Sequence, residues 1–313
     1  MARNRVTIVG SYNVGLFLKG ESFPGPGETL IGTEFKEGGG GKGSNQALAA
    51  AKLGADVSFI GRIGNDAFGR YALRLYEEFG VSSETIKVDP DTHSGVSVIF
   101  IDKAGRNMIM VVPGANFRLS RADVDAAEAS IRESMVVGFQ LENNFEIVEY
   151  GILKASRAGT RVLLDPAPVR PLPESLFKNI WCIKPNEHEA SALTGIKVVD
   201  RRSAVEAGKW FLSRGVALAL ITLGEQGAVL VTKEEQLHFP APKVEAIDST
   251  GAGDCFCGAF MAALASGAGM HDAIRYANVA ASISVTRLGV IEAIPSQDEV
   301  KERLRSAGQE GRA

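Results

Sequence analysis

The chain has 313 residues, 45% of them hydrophobic, enough to bury a large core as one α/β unit or as two smaller ones. Its 34 basic and 37 acidic side chains nearly cancel, which argues against a surface built to neutralise nucleic acid or an anionic membrane. The three cysteines, Cys182, Cys255 and Cys257, do not suit a secreted disulfide framework, no stretch approaches about 18 uninterrupted apolar residues, and VTIVG after MARNR is too short for a signal-peptide core. A soluble cytoplasmic protein is expected.

In chain order, a strand at Val6 to Val9 precedes a glycine- and proline-rich stretch over 14–36 and the cluster EGGGGKGSNQALAA at 37–50. A helical pattern over 45–54, a strand at Val57 to Ile60 and a helix over 66–79 follow, the grammar of βαβ units. At 95–112, SGVSVIFID and RNMIMVV flank KAG, which reads as a β-hairpin. Strands resume at Arg161 to Leu164, Trp181 to Ile183, Ala217 to Thr222 and Ala228 to Val231, apolar throughout as strands buried on both faces are. Helices near 201–214, 253–266 and 270–286 would cover them, with Gly54, Gly80, Gly215 and Gly267 where helices should stop. The pattern predicts a three-layer α-β-α sandwich around a mostly parallel central sheet, in a single domain over 1–313. The stretches 14–36 and 95–112 break the alternation and predict a small β-sheet lid.

Two glycine clusters carry the chemistry. At 37–50 the P-loop pattern fails, because Lys42 is followed by Gly43 and Lys36 stands where the first glycine is required. What remains is backbone able to lie against a small polar ligand, with Lys42 and Asn45 as donors. At 248–254, DSTGAGD follows the strand-like KVEAI and precedes the small-residue helix CFCGAFMAALASG. Without side chains at Gly251 and Gly253 the backbone can approach a ligand, and the amides of Ala252, Gly253 and Asp254 would face it from the positive end of the helix. A carboxylate there, Asp254, can accept a proton from a hydroxyl while the amides hold a transferring phosphoryl group. Taken alone, GAGD reads equally well as an ordinary N-cap with glycine packing. Cys255 and Cys257, with His271 downstream, read as core packing rather than a metal site, since residues two apart face different sides of a helix.

Over nearly its whole length, and in order, the chain resembles the ribokinase family of carbohydrate kinases. The matching segments are GSYN, PGPGET and GGKGSNQA near the N-terminus, QLE at 140–142, DPAP at 165–168, PNEHE at 185–189, ITLGEQG at 221–227, DSTGAGD, and SVTRLG at 284–289. The resemblance implies ATP-dependent phosphorylation of a sugar, with O5 of D-ribose the first expectation. Deoxyribose, a ketohexose, a keto-deoxy sugar acid or a nucleoside are alternative acceptors, and a non-catalytic sugar-binding regulator is the alternative from another class. It implies Asp254 as catalytic base, with Gly251, Ala252 and Gly253 forming the anion hole, and Asn13, Gly41, Lys42, Asn45, Glu142 and Asp254 as sugar contacts. Asn186 and Glu189 would organise Mg2+ and phosphate, largely through water, and Thr222, Gly224, Gly253 and Asn278 would contact ATP. A K+ ion is implied at Asp248, Thr250, Ser284, Arg287 and Gly289, several through backbone carbonyls, as is a homodimer through the lid's strand edges. Two positions depart from the family. Gly15 stands where an aspartate usually grips two sugar hydroxyls, and Ala293 where a hydroxyl is often offered to the monovalent cation.

Overall fold

The computed structural model describes residues 5–310. Its strands are β1 (Arg5–Val9), β2 (Asn13–Lys19), β3 (Glu34–Gly40), β4 (Asp56–Gly64), β5 (Val81–Ser82), β6 (Ile86–Asp89), β7 (Gly95–Ile101), β8 (Asn107–Val112), β9 (Ser134–Phe139), β10 (Arg161–Leu164), β11 (Cys182–Ile183), β12 (Leu218–Thr222), β13 (Ala228–Val231) and β14 (Gln236–Phe239). Its helices are α1 (Lys42–Lys52), α2 (Ala67–Phe79), α3 (Arg121–Ala126), α4 (Glu128–Glu133), α5 (Phe145–Arg157), α6 (Glu174–Phe177), α7 (Glu187–Thr194), α8 (Arg201–Leu212), α9 (Ala252–Ala265), α10 (Met270–Ser284) and α11 (Gln297–Glu310).

Among the described residues, the central sheet runs β14-β13-β12-β11-β10-β9-β1-β4-β5, with β6 also on β4. Every pairing from β12 to β5 is parallel, and only the β12–β13 and β13–β14 pairings are antiparallel, so β13 alone runs against the rest. Parallel strands require helical crossovers on both faces, which is why these strands are apolar throughout rather than alternating. One face packs Phe59, Tyr76 and Phe260 under α1, α2 and α9. The other packs Phe139, Ile152 and Phe211 under α5 and α8. All side chains of α9 from Asp254 to Ala265 are buried, so this helix is part of the core rather than a cover on it.

A second sheet has the order β3-β2-β7-β8, with β2 and β7 parallel and the outer pairs antiparallel. It uses the expected hairpin at 95–112. Its other two strands lie at either end of 14–36, and the exposed loop between them carries no strand. The glycine run at 38–40 is strand rather than turn, and Gly39 is needed there because a Cβ would come within 2.7 Å of Leu75 and 2.8 Å of Ile291. Two local expectations are corrected. KVEAI at 243–247 forms no strand, because Pro240 and Pro242 remove ladder donors on the approach, and the Ile247 and Asp248 amides instead donate to the Val285 carbonyl at 2.7 and 3.1 Å. The helix expected over 45–54 already starts at Lys42, because Gly41, at φ 90°, turns the chain directly out of β3.

Candidate functional site

The site forms where the N-termini of α1 and α9 meet. Gly251 ends the loop before α9 in the left-handed region at φ 75°, and a Cβ there would lie 2.5 Å from Val290. The first-turn amides of a helix have no partner within it. In α9 the Ala252 amide is drawn back to the Ser249 carbonyl at 3.2 Å, which leaves Gly253 and Asp254 as the free donors rather than all three expected residues. Gly253 is exposed while Asp254 is buried, so the turn presents backbone outward and carboxylate inward. The α1 terminus is capped by other parts of the chain. Lys42 donates its amide to Glu142 Oε2 at 2.9 Å, Ser44 donates to the Ser11 carbonyl at 2.9 Å, and the Ser11 hydroxyl binds the same Glu142 oxygen.

Asp254 accepts from Asn45 Nδ2 at 2.9 Å on one oxygen and from Gln46 Nε2 at 3.2 Å on the other. Both carboxylate oxygens are thus engaged as acceptors, which fixes the orientation of the group. Asn45 Oδ1 is buried without a protein partner, an acceptor available to a hydroxyl. The Asp254 carboxylate, with Asp165 and Glu142 adding to it, holds the Lys42 ammonium above the ordinary lysine range against the opposing effects of burial and Lys184. Beneath the anion-binding turn, Lys184 Nζ pairs with Asp165 at 3.0 Å and lies 3.4 Å from the place a Cβ would take at Gly253. Burial works against that ammonium, but the carboxylates of Asp165 and Glu189 outweigh it and keep Lys184 charged.

The residues expected to contact a sugar come together. Asn13 pairs with Gly40 across β2 and β3, Gly41 passes so close that a Cβ would lie 2.8 Å from the Asn13 amide, and Lys42, Asn45, Glu142 and Asp254 follow through the bonds above. Asn13 is itself pinned by Asn116, which donates to its Oδ1 at 2.9 Å and to the Tyr12 carbonyl at 2.8 Å. Gly15 lies two residues along β2 on the face shared with Asn13 and Phe17. A Cβ at Gly15 would come within 2.9 Å of the Phe17 ring, so this ring packs over the position at which the family resemblance implies a carboxylate.

Among the residues expected to face the nucleotide, Asn186 bridges to Thr222, and Gly224 sits at φ 50° in the turn after β12. Asn186 and Glu189 form a reciprocal capping box on α7, each accepting the other's backbone amide at 2.8 Å, which leaves Asn186 Nδ2 and Glu189 Oε1 outside the box. Asn278 is buried and donates to the Phe239 carbonyl at 2.9 Å, at the end of a strand two places from β12. The cation-loop residues also converge. Asp248 accepts from the Thr250 amide at 2.9 Å and the Gly289 amide at 3.2 Å, while the Arg287 amide donates to the Ser284 carbonyl at 3.2 Å. The Arg287 guanidinium points away to Glu299, so only its backbone faces this loop. Carbonyl and carboxylate oxygens are a donor set that fits a K+ ion, and the buried Ala293 adds none.

Sequence reasoning missed Gln46, Gln140, Lys184, Ser11 and Asn116, and gave Asp165 no role. Lys184 had a signal, since a lysine directly after the apolar strand residues Cys182 and Ile183 must find a partner when buried. Asn116 had none, because its contacts lie about a hundred residues away.

A profile described as pfkB family carbohydrate kinase matches residues 3–297. A ribokinase of Haemophilus influenzae is 38% identical over 305 residues, covering 97% of this chain and 100% of that protein. A deoxyribokinase of Salmonella typhi is 35% identical over 300 residues, covering 96% and 98%. The solved structure of Arabidopsis thaliana ribokinase complexed with ribose and ATP matches with a TM-score of 0.90 at 30% identity, covering 96% of this chain and 98% of that one.

Proposed function

This chain belongs to the pfkB family of carbohydrate kinases, and from that premise we propose that it transfers the γ-phosphoryl group of MgATP to O5 of D-ribose. The observation that carries the reading is the Asp254 carboxylate, held by Asn45 and Gln46 in the first turn of α9 beside the free Gly253 and Asp254 amides. In this reading Asp254 accepts the hydroxyl proton as O5 attacks, and the two amides donate to the oxygens of the transferring group. Lys42 adds positive charge from the α1 side, and Asn13, Gly41, Asn45 and Glu142 orient the sugar. Mg2+ carried with the nucleotide would neutralise phosphate charge; Glu189 Oε1 would accept from a water on the ion, and Asn186 Nδ2 would donate to a phosphate oxygen, directly or through water. K+ would be held by Asp248 and the carbonyls of the 248–250 and 284–289 loops, next to the α9 turn. The chain works as one catalytic domain over 1–313, with the small sheet as its lid and as the surface of a homodimer.

A second reading, 2-deoxyribose as the preferred acceptor, is favoured by one feature. Phe17 over Gly15 gives an apolar wall where relatives place a carboxylate, and such a wall does not reward an additional hydroxyl. ATP consumption across ribose, 2-deoxyribose, ketohexoses, keto-deoxy acids and nucleosides, in K+ and in a bulky organic cation, tests both. Ribose with the highest kcat/KM and a clear loss of rate without K+ is expected. Deoxyribose ahead of ribose transfers the assignment to the second reading, and no turnover with any acceptor overturns both.

A further inference from the structure

A buried amide relay lies behind Asp254. Gln140 Nε2 donates to Gln46 Oε1 at 2.6 Å. With its carbonyl occupied, Gln46 turns its NH2 towards two carboxylates, giving one hydrogen to Asp165 Oδ2 at 2.9 Å and the other to Asp254 Oδ1 at 3.2 Å. The reverse orientation would set an amide oxygen against two acceptors, so the carboxylates themselves dictate how Gln46 sits. A single nitrogen therefore bridges two buried acids. The remaining groups around Asp254 are Lys42 and Asn45 from α1, Lys184 paired with Asp165, Glu189 from α7 acting on both members of that pair, Glu142 acting on Lys42, and the buried thiols of Cys255 and Cys257.

We propose that Gln46 is a positioning residue for phosphoryl transfer: by bridging Asp254 and Asp165 it keeps Asp254 unprotonated and aimed at the acceptor hydroxyl, with Gln140 fixing its orientation. The inference rests on Asp254 being the base. A hydrogen bond from a neutral donor to a charged group contributes about one pH unit to the balance between protonated and ionised forms. Gln46→Met keeps the length of the side chain and removes the donor. At saturating MgATP, its acidic limb of kcat is expected to move upward by about one pH unit, with kcat at neutral pH about tenfold lower and both KM values within about twofold. A purely structural role would lower the melting temperature and leave the limb where it was. Gln140→Met, which leaves Gln46 in place but unties its carbonyl, gives a second measurement if Gln46→Met does not fold, with a smaller shift in the same direction expected. An unmoved limb in a folded variant overturns the proposal. Asp254→Asn separates the two levels. Surviving turnover there refutes the base itself, whereas loss of turnover there with an unmoved limb in Gln46→Met refutes only the role of Gln46.

Discussion

The α1–α9 junction and the small sheet both supply residues to the candidate site and are built in opposite ways. At the junction the helices touch backbone to backbone, and a Cβ on Gly258 would fall 2.6 Å from Ala49, 2.7 Å from the Gln46 carbonyl and 2.8 Å from the Ala50 amide. In the small sheet all six residues of β8 are exposed, among them Ile109 and Met110 at 59% and 69%. Asp254, Asn45 and Gln46 are thus set by a part of the molecule that cannot shift without breaking its core. Asn13, Gly15 and Phe17 belong to a thin layer with little packed behind its outer strand. Groups that must be aligned with a reacting hydroxyl belong on the first kind of support, and groups that cover and select an acceptor belong on the second.

Three substitutions press on that contrast. Gly258→Val should have the largest effect, because backbone atoms on α1 cannot yield to the added methyls. Urea unfolding should show a loss of roughly 3 kcal/mol, and refolding to full stability would mean the junction is looser than its contacts. Gly15→Asp comes next. The carboxylate must displace the Phe17 ring, and the hydrogen bonds it then offers should lower the ribose KM by about tenfold with unfolding unchanged within roughly 0.5 kcal/mol. A higher ribose KM would show that the ring, not the missing acid, shapes the pocket. Met110→Lys should be smallest in stability, again within about 0.5 kcal/mol, yet the proposed homodimer should give way to monomer in sedimentation as the apolar strand acquires charge. A stability loss as large as that of Gly258→Val would erase the distinction between the two regions.

Much of this architecture is legible along the chain. The strands Arg161–Leu164 and Ala228–Val231 take the bounds that their apolar runs mark, since a short apolar run between turn residues has few other uses in a sheet buried on both faces. Gly80 ends α2 at φ 70° as its position suggests. The KVEAI segment misleads because its β-branched character is overruled by prolines and by hydrogen bonds to Val285, a carbonyl far along the chain.

The site divides along the same line. Asp254 and Gly251 are readable from DSTGAGD alone, because a glycine at a helix start and an acid in the first turn have local physical meanings. Whether that acid serves as a base or a simple cap depends on Asn45, Gln46 and Asp165, which lie 209, 208 and 89 positions away from it, and on the parallel pairing of β2 with β7 that brings Asn116 against Asn13. By itself the sequence determined the layers, most helix ends, the glycine turn before α9 and the position of a candidate carboxylate in it, because these follow from side-chain periodicity and backbone freedom within a few residues. Only the tertiary structure decided which amides Asp254 would meet, which charge Lys184 would balance and which ring would cover Gly15, because those contacts exist only once α1 is pressed onto α9 and the two sheets close around them.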